Sequence, residues 1–180
     1  MAVVEAIATT YLEADAASVT FSSLGSYEHL QLRYSTRSAY DTTNNYDSIY
    51  LRFATGGGSI DTGTNYSIHQ MYASQTTAAA NSATGQTGIY VAGMADTPAS
   101  VAAEYGPTVL DILDYRNGSK NTTIQTTFST GAKGTATAYL IFASGLWDNV
   151  GAVDQIQLST YSTSNFVRGS EFTLYGLNSS

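Results

Sequence analysis

The chain has no cysteine among its 180 residues. Disulfide staples and thiolate metal sites are therefore excluded. Charge is scarce as well: Asp, Glu, Lys and Arg make up 12%, about half the share of an ordinary soluble domain. Only two residues are lysine and the net charge is −7. The positive footprint that neutralises phosphates is missing, which argues against nucleic acid as a partner. The acidic balance argues equally against docking on an anionic membrane. No stretch is long and apolar enough to cross a bilayer as a helix. Residues 1–10 lack the basic and apolar regions of a signal peptide. Helix-period segments, internal repeats and heptads are absent too, so a single all-β domain spanning 1–180 is the expectation.

With so few charges, solubility falls to hydroxyl and amide side chains. Ser and Thr alone supply about a quarter of the residues, well above a typical chain. Such a surface is usual for virion surface proteins and secreted β-domains, and unusual for a cytosolic enzyme. Apolar residues recur at period two, the spacing of a half-buried strand. The clearest run is 28–37, with Leu30, Leu32 and Tyr34 on one face and His29, Gln31, Arg33 and Ser35 on the other. The last run, 169–177, sets Phe172, Leu174 and Gly176 against Glu171, Thr173 and Tyr175. A strand this apolar at the end of the chain must pair inside a sheet, and the first strands are its expected partners. Further strands are read at 2–10, 18–24, 48–54, 65–73, 88–94, 108–115, 121–130, 135–147 and 153–160. Within 135–147, Tyr139, Leu140, Ile141 and Phe142 read as buried on both faces. In 153–160, Val153, Gln155 and Gln157 read as opposing Asp154, Ile156 and Leu158. Asn117-Gly118 reads as a hairpin turn, Gly56 to Gly58 open a flexible loop, and 98–104 reads as one helical turn. The low-complexity stretch 74–86 has no core residues and reads as a long surface loop. The sum is about ten strands in a jelly-roll-like antiparallel β-sandwich.

The closing Gly169-Ser170-x-Phe172-x-Leu174-Tyr175-Gly176 resembles the last strand of a family of small β-sandwich proteins of tailed bacteriophages. Pieces in the same order match elsewhere: Ile7-Ala8-Thr9-Thr10, Tyr27-Glu28-His29-Leu30-Gln31-Leu32, Tyr50-Leu51-Arg52-Phe53, Tyr66-Ser67-Ile68-His69, Val109-Leu110-Asp111-Ile112 and Ser144-Gly145-Leu146-Trp147. The resemblance spans nearly the whole chain. It implies a virion component: a capsid decoration (cement) protein or a tail-fibre module. Because the chain reads as a short single domain from Met1, without an N-terminal anchor or fibrous shaft, decoration is the first expectation. The partner would be the major capsid protein, bound on the outer capsid surface by a homotrimer made in the host cytoplasm. The alternative is a receptor-binding or carbohydrate-binding tail module that uses loops 41–46, 56–64 and 74–87 on a host surface glycan.

Site chemistry is sparse. His29 and His69 could join Asp47 or Glu28 in a metal or acid–base site, but their spacing is no known ligand motif, and two exposed strand histidines is the better reading. Asp111 and Asp114 fall on opposite strand faces, wrong for a carboxylate pair. Asp41, Asp47, Asn44 and Asn45 form an oxygen-rich loop that could hold Ca²⁺, yet a plain polar loop is the better reading. Asn65, Asn117, Asn121 and Asn178 open Asn-x-Ser/Thr triplets, which chance explains in such a composition. No nucleophile elbow, phosphate loop or zinc signature occurs. No cofactor and no enzymatic activity are expected. Of the 14 tyrosines, those inside strands (Tyr34, Tyr50, Tyr72, Tyr115, Tyr139, Tyr175) suit sheet packing, while Tyr40, Tyr46 and Tyr105 fall at loops and are the interface candidates.

Overall fold

Alternating side chains build nearly every element of this protein. The structure, a computed structural model, describes residues 3–40, 46–95, 104–130 and 138–178, and of residues 91–95 the backbone alone. Twelve strands are formed: β1 (Val3–Tyr11), β2 (Ser18–Phe21), β3 (His29–Thr36), β4 (Tyr46–Thr55), β5 (Tyr66–Ser74), β6 (Thr77–Gln86), β7 (Ile89–Ala95), β8 (Gly106–Leu113), β9 (Thr122–Ser129), β10 (Tyr139–Trp147), β11 (Val153–Thr160) and β12 (Glu171–Asn178). They make two antiparallel sheets, one of eight strands in the order β1-β12-β3-β8-β9-β10-β5-β6 and one of four in the order β2-β11-β4-β7. From β1 to β5 the chain crosses between the sheets at every step, the wrapped connectivity of a jelly-roll-like sandwich.

The inner faces meet in a main core, and Phe128, Ile141 and Ala143 form a second, smaller cluster. Leu30, Leu32, Leu110, Ile112, Ile124, Trp147, Phe172 and Leu174 come from the large sheet, and Ile49, Leu51, Phe53, Ile89, Ile156 and Leu158 from the small one. The closing strand lies where the sequence places it. β12 pairs with β1, Val3 opposite Asn178 to Tyr11 opposite Glu171, and with β3, Glu171 opposite Ser35 to Leu177 opposite His29. Phe172 is fully buried, with its ring 5.0 Å from Phe166 and 5.8 Å from Tyr34. Gly176 is required because Tyr27 lies across it: a Cβ there would stand 2.2 Å from the Tyr27 ring.

Five readings need correction. Residues 77–86 are not a loop but β6, joined to β5 by a two-residue turn at Gln75-Thr76. Gln75 takes the left-handed backbone there, φ 52°, without the Asn or Gly that usually signals such a turn. β6 is an edge strand of Ala, Ser, Thr and Asn with its side chains largely exposed, so no apolar period marks it. At Asn117-Gly118 the hairpin between β8 and β9 is real, but the loop runs through 114–121 and Asp114 carries the positive φ, 53°. Tyr115 lies past the end of β8, buried, its hydroxyl donating to the Gly25 carbonyl at 2.9 Å. In β11 a bulge between Val153 and Gln155 turns Val153 to the core face with Ile156 and Leu158. Leu140 and Phe142 are exposed, because β10 is buried on its inner face alone. The reading at 98–104 falls outside the described residues except for Glu104.

The triple-glycine loop is pinned. Gly57 N–H donates to Asp154, and the single Trp147 donates its indole N–H to Asp61 Oδ2 at 2.8 Å. Asn65 Nδ2 and Gly63 N–H each donate to the same carboxylate at 2.8 Å.

The Phe172→Ala variant is expected to lose about 3–5 kcal/mol of unfolding free energy, because truncation empties a closed aromatic site. Glu171→Ala, one residue away on the opposite face, is expected within about 0.5 kcal/mol of wild type. Urea denaturation measures both, and equal losses would contradict the packing described.

Candidate functional site

The outer face of the eight-stranded sheet is the candidate. Strand register builds it in rows. One row runs Arg33, Val109, Thr127, Phe142, Met71 and Ala80, each directly opposite the next across β3, β8, β9, β10, β5 and β6. The neighbouring row toward Trp147 runs Gln31, Asp111, Gln125, Ser144, His69 and Ser82 in the same register. Leu140 lies on the other side of the first row, opposite Ser129 and Ala73. The apolar members are well exposed: Met71 60%, Leu140 62%, Phe142 43% and Val109 38%. Side chains directly opposite on a strand pair are close enough to touch, so these residues form a connected patch rather than scattered apolar points.

Toward β12 the patch runs into a shallow groove of about 560 Å³, lined among others by Arg33, Val109, Thr127, Leu140, Thr173 and Tyr175. The Arg33 guanidinium carbon sits 5.1 Å from the Tyr175 ring centroid, a cation–π contact. Arg33 Nε donates to Gln31 Oε1 at 2.8 Å, and Gln31 Nε2 donates to Asp111 Oδ1 at 2.7 Å. This relay orients the three polar side chains along the rim of the apolar patch.

The histidines are not brought together. His29 is on β3 and His69 on β5, separated in the sheet by β8, β9 and β10, on the order of 19 Å at the usual strand spacing. His29 Nδ1 accepts the Asp114 N–H at 3.0 Å and sits 3.6 Å from its carboxylate. Asp114 is paired to Lys120 at 2.7 Å, and the bond and charge of that lysine hold its carboxyl below the ordinary range. Asp111 and Asp114 do not form a pair: Asp111 is bonded to Gln31 and Asp114 to Lys120. Among the described residues no group of three or more His, Asp or Glu could hold a metal ion.

Asp47 is buried in the other sheet. It accepts the Ser38 hydroxyl at 2.7 Å and the Ser162 hydroxyl. Burial pushes its carboxyl above the ordinary value, against hydrogen bonds from Ser162, Ser38 and the Ser48 backbone that pull it down. Asp41, Asn44 and Asn45 lie outside the described residues. Of the interface candidates, Tyr40 is exposed. Tyr46 opens β4, its ring 4.4 Å from Tyr139. Tyr105 donates its hydroxyl to the Arg168 carbonyl at 2.7 Å and crowds Gly169. The exposed patch itself carries no tyrosine signal; two apolar residues at period two, Leu140 and Phe142, were its trace in the sequence.

No protein-family model matches the chain, and no curated protein matches it. Among solved structures it is similar to the CBM2 module of the evolved Dit of Lactobacillus casei BL23 phage J-1, at 9% identity over 91% of this chain and 69% of that one, TM-score 0.26. It is also similar to the exoplasmic/lumenal domain of VIP36 bound to Ca²⁺ and Man3GlcNAc, at 10% identity over 100% of this chain and 84% of that one, TM-score 0.31. A third is the lectin from Bauhinia forficata in complex with GalNAc, at 7% identity over 97% and 93%, TM-score 0.21. Likenesses this distant carry no argument about ligand or role.

Asp47 sets an expectation for pH. Its folded carboxyl titrates above its unfolded value of 3.8, so the folded state binds the extra proton in that window. Its contribution to stability therefore falls as pH rises from near 3.8 through the folded pKa. Relative to Asp47→Asn, which cannot ionise, wild type is expected to lose unfolding free energy between pH 4 and pH 7 in parallel urea titrations. A difference that grows in favour of wild type over that range would contradict it.

Proposed function

We propose that this protein is a non-catalytic virion structural protein that seats the outer face of its eight-stranded sheet on the major capsid protein and strengthens the shell. The observation that carries the reading is the uncovered patch of Met71, Leu140, Phe142 and Val109. Contiguous apolar surface on a soluble domain marks a partner-binding site. Interface centres favour aromatic residues, Met and Arg and are depleted in Lys, Glu and Asp. The row Arg33, Val109, Thr127, Phe142, Met71 and Ala80 carries an aromatic, a methionine and an arginine and no Lys, Glu or Asp. The virion setting is supported by the resemblance of the ordered strand motifs to tailed-phage β-sandwich proteins.

The homotrimer belongs to this reading. The edge of the large sheet at β6 supports it: ten residues, Thr77–Gln86, without proline or charge. Such an edge lacks the usual devices that block strand addition, so the other edge of a second copy's large sheet, β1, can pair there head to tail, the kind of contact that closes into a ring. Symmetric copies at a capsid three-fold position would add weak contacts into a stable whole. A receptor-binding tail module is the second reading. It is favoured by the groove beside Arg33 and Tyr175, whose stacked cation and ring are arranged for a polar ligand.

Phe142→Asp and Met71→Asp each put a charge into the patch and leave the core untouched. Each is expected to lower occupancy on purified virions or empty shells at least about tenfold, with melting temperatures within about 2 °C of wild type. Binding is read by sedimentation with the particles and by electron cryomicroscopy. Density at the tail tip rather than the shell would sink the decoration reading, as would full occupancy by both variants.

A further inference from the structure

The outer face of the four-stranded sheet differs in chemistry from the patch just described. Strand register again sets it out. Tyr50 on β4 lies opposite Tyr90 on β7 and, on its other side, opposite Ser159 on β11. Arg52 lies opposite Gln157 on β11, and Gln157 opposite Thr20 on β2. Tyr161 follows β11 and is fixed by its N–H to the Ser48 carbonyl at 2.8 Å. Its ring centroid lies 5.1 Å from that of Tyr50 and 5.9 Å from that of Tyr90, tilted by 49° and 60°. Tyr161 thus contacts both other rings, and the three phenols form an aromatic cluster on this face, the cup, with Tyr161 the most exposed at 53%.

Arg52 completes one wall. Its guanidinium carbon lies 4.3 Å from the Tyr50 ring centroid. Nε donates to the Thr87 carbonyl at 2.7 Å and Nη1 to Ser159 Oγ at 3.2 Å. Gly88 leaves the room this needs: a Cβ there would stand 2.9 Å from Tyr50 Cδ1 and 3.1 Å from Arg52 Cγ. The cup is therefore held in shape by packing beneath it and by two hydrogen bonds at its side. Burial, and then the neighbouring Tyr161 and Tyr50, raise the Tyr90 phenol above its ordinary value.

We propose that this cup, formed by Tyr50, Tyr90, Tyr161 and Arg52, binds a neutral hexopyranose unit of an oligosaccharide. A pyranose has a C–H face that stacks on an aromatic ring and an equatorial rim of hydroxyls. The cup matches both: exposed ring surface at Tyr161, then a rim of Arg52, Gln157, Ser159 and Thr20 that can donate and accept hydrogen bonds. Protein-docking chemistry is weaker here. Among the described residues, the large exposed apolar side chains Met71, Val109, Leu140 and Phe142 belong to the other sheet, and Tyr161 is the one on this face. An anionic ligand is disfavoured by a net charge of −7 and by a single arginine already bonded to Thr87 and Ser159. This goes beyond the docking reading and does not rest on it. The two faces point away from each other, so a protein seated by its large sheet would hold the cup toward the medium.

The test uses the whole chain and saturation-transfer NMR with maltotriose, cellotriose, mannotriose, lactose and N,N′-diacetylchitobiose. Wild type is expected to bind at least one of them with a dissociation constant on the order of 1 mM or tighter. Tyr161→Ala should weaken that binding about tenfold, the scale of one lost ring contact with its neighbours' reorganisation. Tyr161→Phe, which keeps the ring, should stay within about threefold. Phe142→Asp, on the opposite sheet, should bind sugar as wild type does. Wild-type silence toward all five sugars at about 20 mM overturns the proposal, as does binding that survives Tyr161→Ala or disappears in Phe142→Asp. Amide spectra of each variant establish that it is folded. Because the docking test reads shell occupancy and this one reads sugar contact, either can fail without the other.

Discussion

The fold depends on β12 entering the large sheet between β1 and β3. Every residue from Phe172 to Leu177 has a partner on both sides, so the last strand is interior rather than an edge. Its apolar face completes the core: Phe172 fills the space between Tyr34 and Phe166, and Leu174 is fully buried. Phe166 carries the constraint further, since it bridges both Ala16 and Ser38. The two ends of the chain are thereby joined through the sheet. Contacts between residues this far apart in sequence come at a large loop-closure cost. They are repaid only when the whole sheet exists, which makes the sandwich cooperative and slow to assemble relative to helical proteins of similar size.

How much of this was legible follows from which residues carried a period. β3 alternates cleanly, and in β12 Phe172 and Leu174 take the core face that the pattern sets out. β6 was invisible because a strand is recognised by its buried side, and Thr77–Gln86 has hardly any. The bulge in β11 was hidden for a different reason. One inserted residue shifts the phase of the alternation, and no side chain announces it. Leu140 and Phe142 expose the limit most plainly. Period two tells which residues share a face, but whether a second layer covers that face is a tertiary fact. Leu140 and Phe142, two residues of the candidate site, were assigned to the core for the same reason: apolar surface that meets a partner looks, in sequence, like apolar surface that meets the protein itself. The aromatic cup was half visible. Tyr50 was read inside a strand and suited to sheet packing, but its meeting with Tyr90 and Tyr161 required the order β11-β4-β7.

Scarcity of charge binds these observations together. The polar links that fix loops use uncharged donors on a few carboxylates: Trp147, Asn65 and Gly63 on Asp61, and Ser38 and Ser162 on Asp47. The two carboxylates answer burial differently. At Asp61 desolvation raises the carboxyl, yet the donors from Asn65, Gly63 and Trp147 outweigh it and the net shift is downward. At Asp47 desolvation wins. As pH falls, the support that Asp61 gives the 56–65 loop weakens only below the ordinary carboxylate range, while protonation of Asp47 relieves a buried charge. Mild acid therefore costs these two sites little.

The same scarcity decides how its surfaces can work. Two ion pairs of lysine or arginine with a carboxylate occur among the described residues, both with exposed partners, and neither lies within either outer-face site. Contacts made by Met71, Phe142 and Leu140, or by Tyr161 and its neighbours, draw on buried apolar area and ring stacking. Dissolved salt screens charges over about 8–10 Å and leaves those terms nearly unchanged. Affinity then has to come from several modest contacts made at once. A sandwich suits that requirement, because its two outer sheet faces are separated by the core and neither site takes surface from the other.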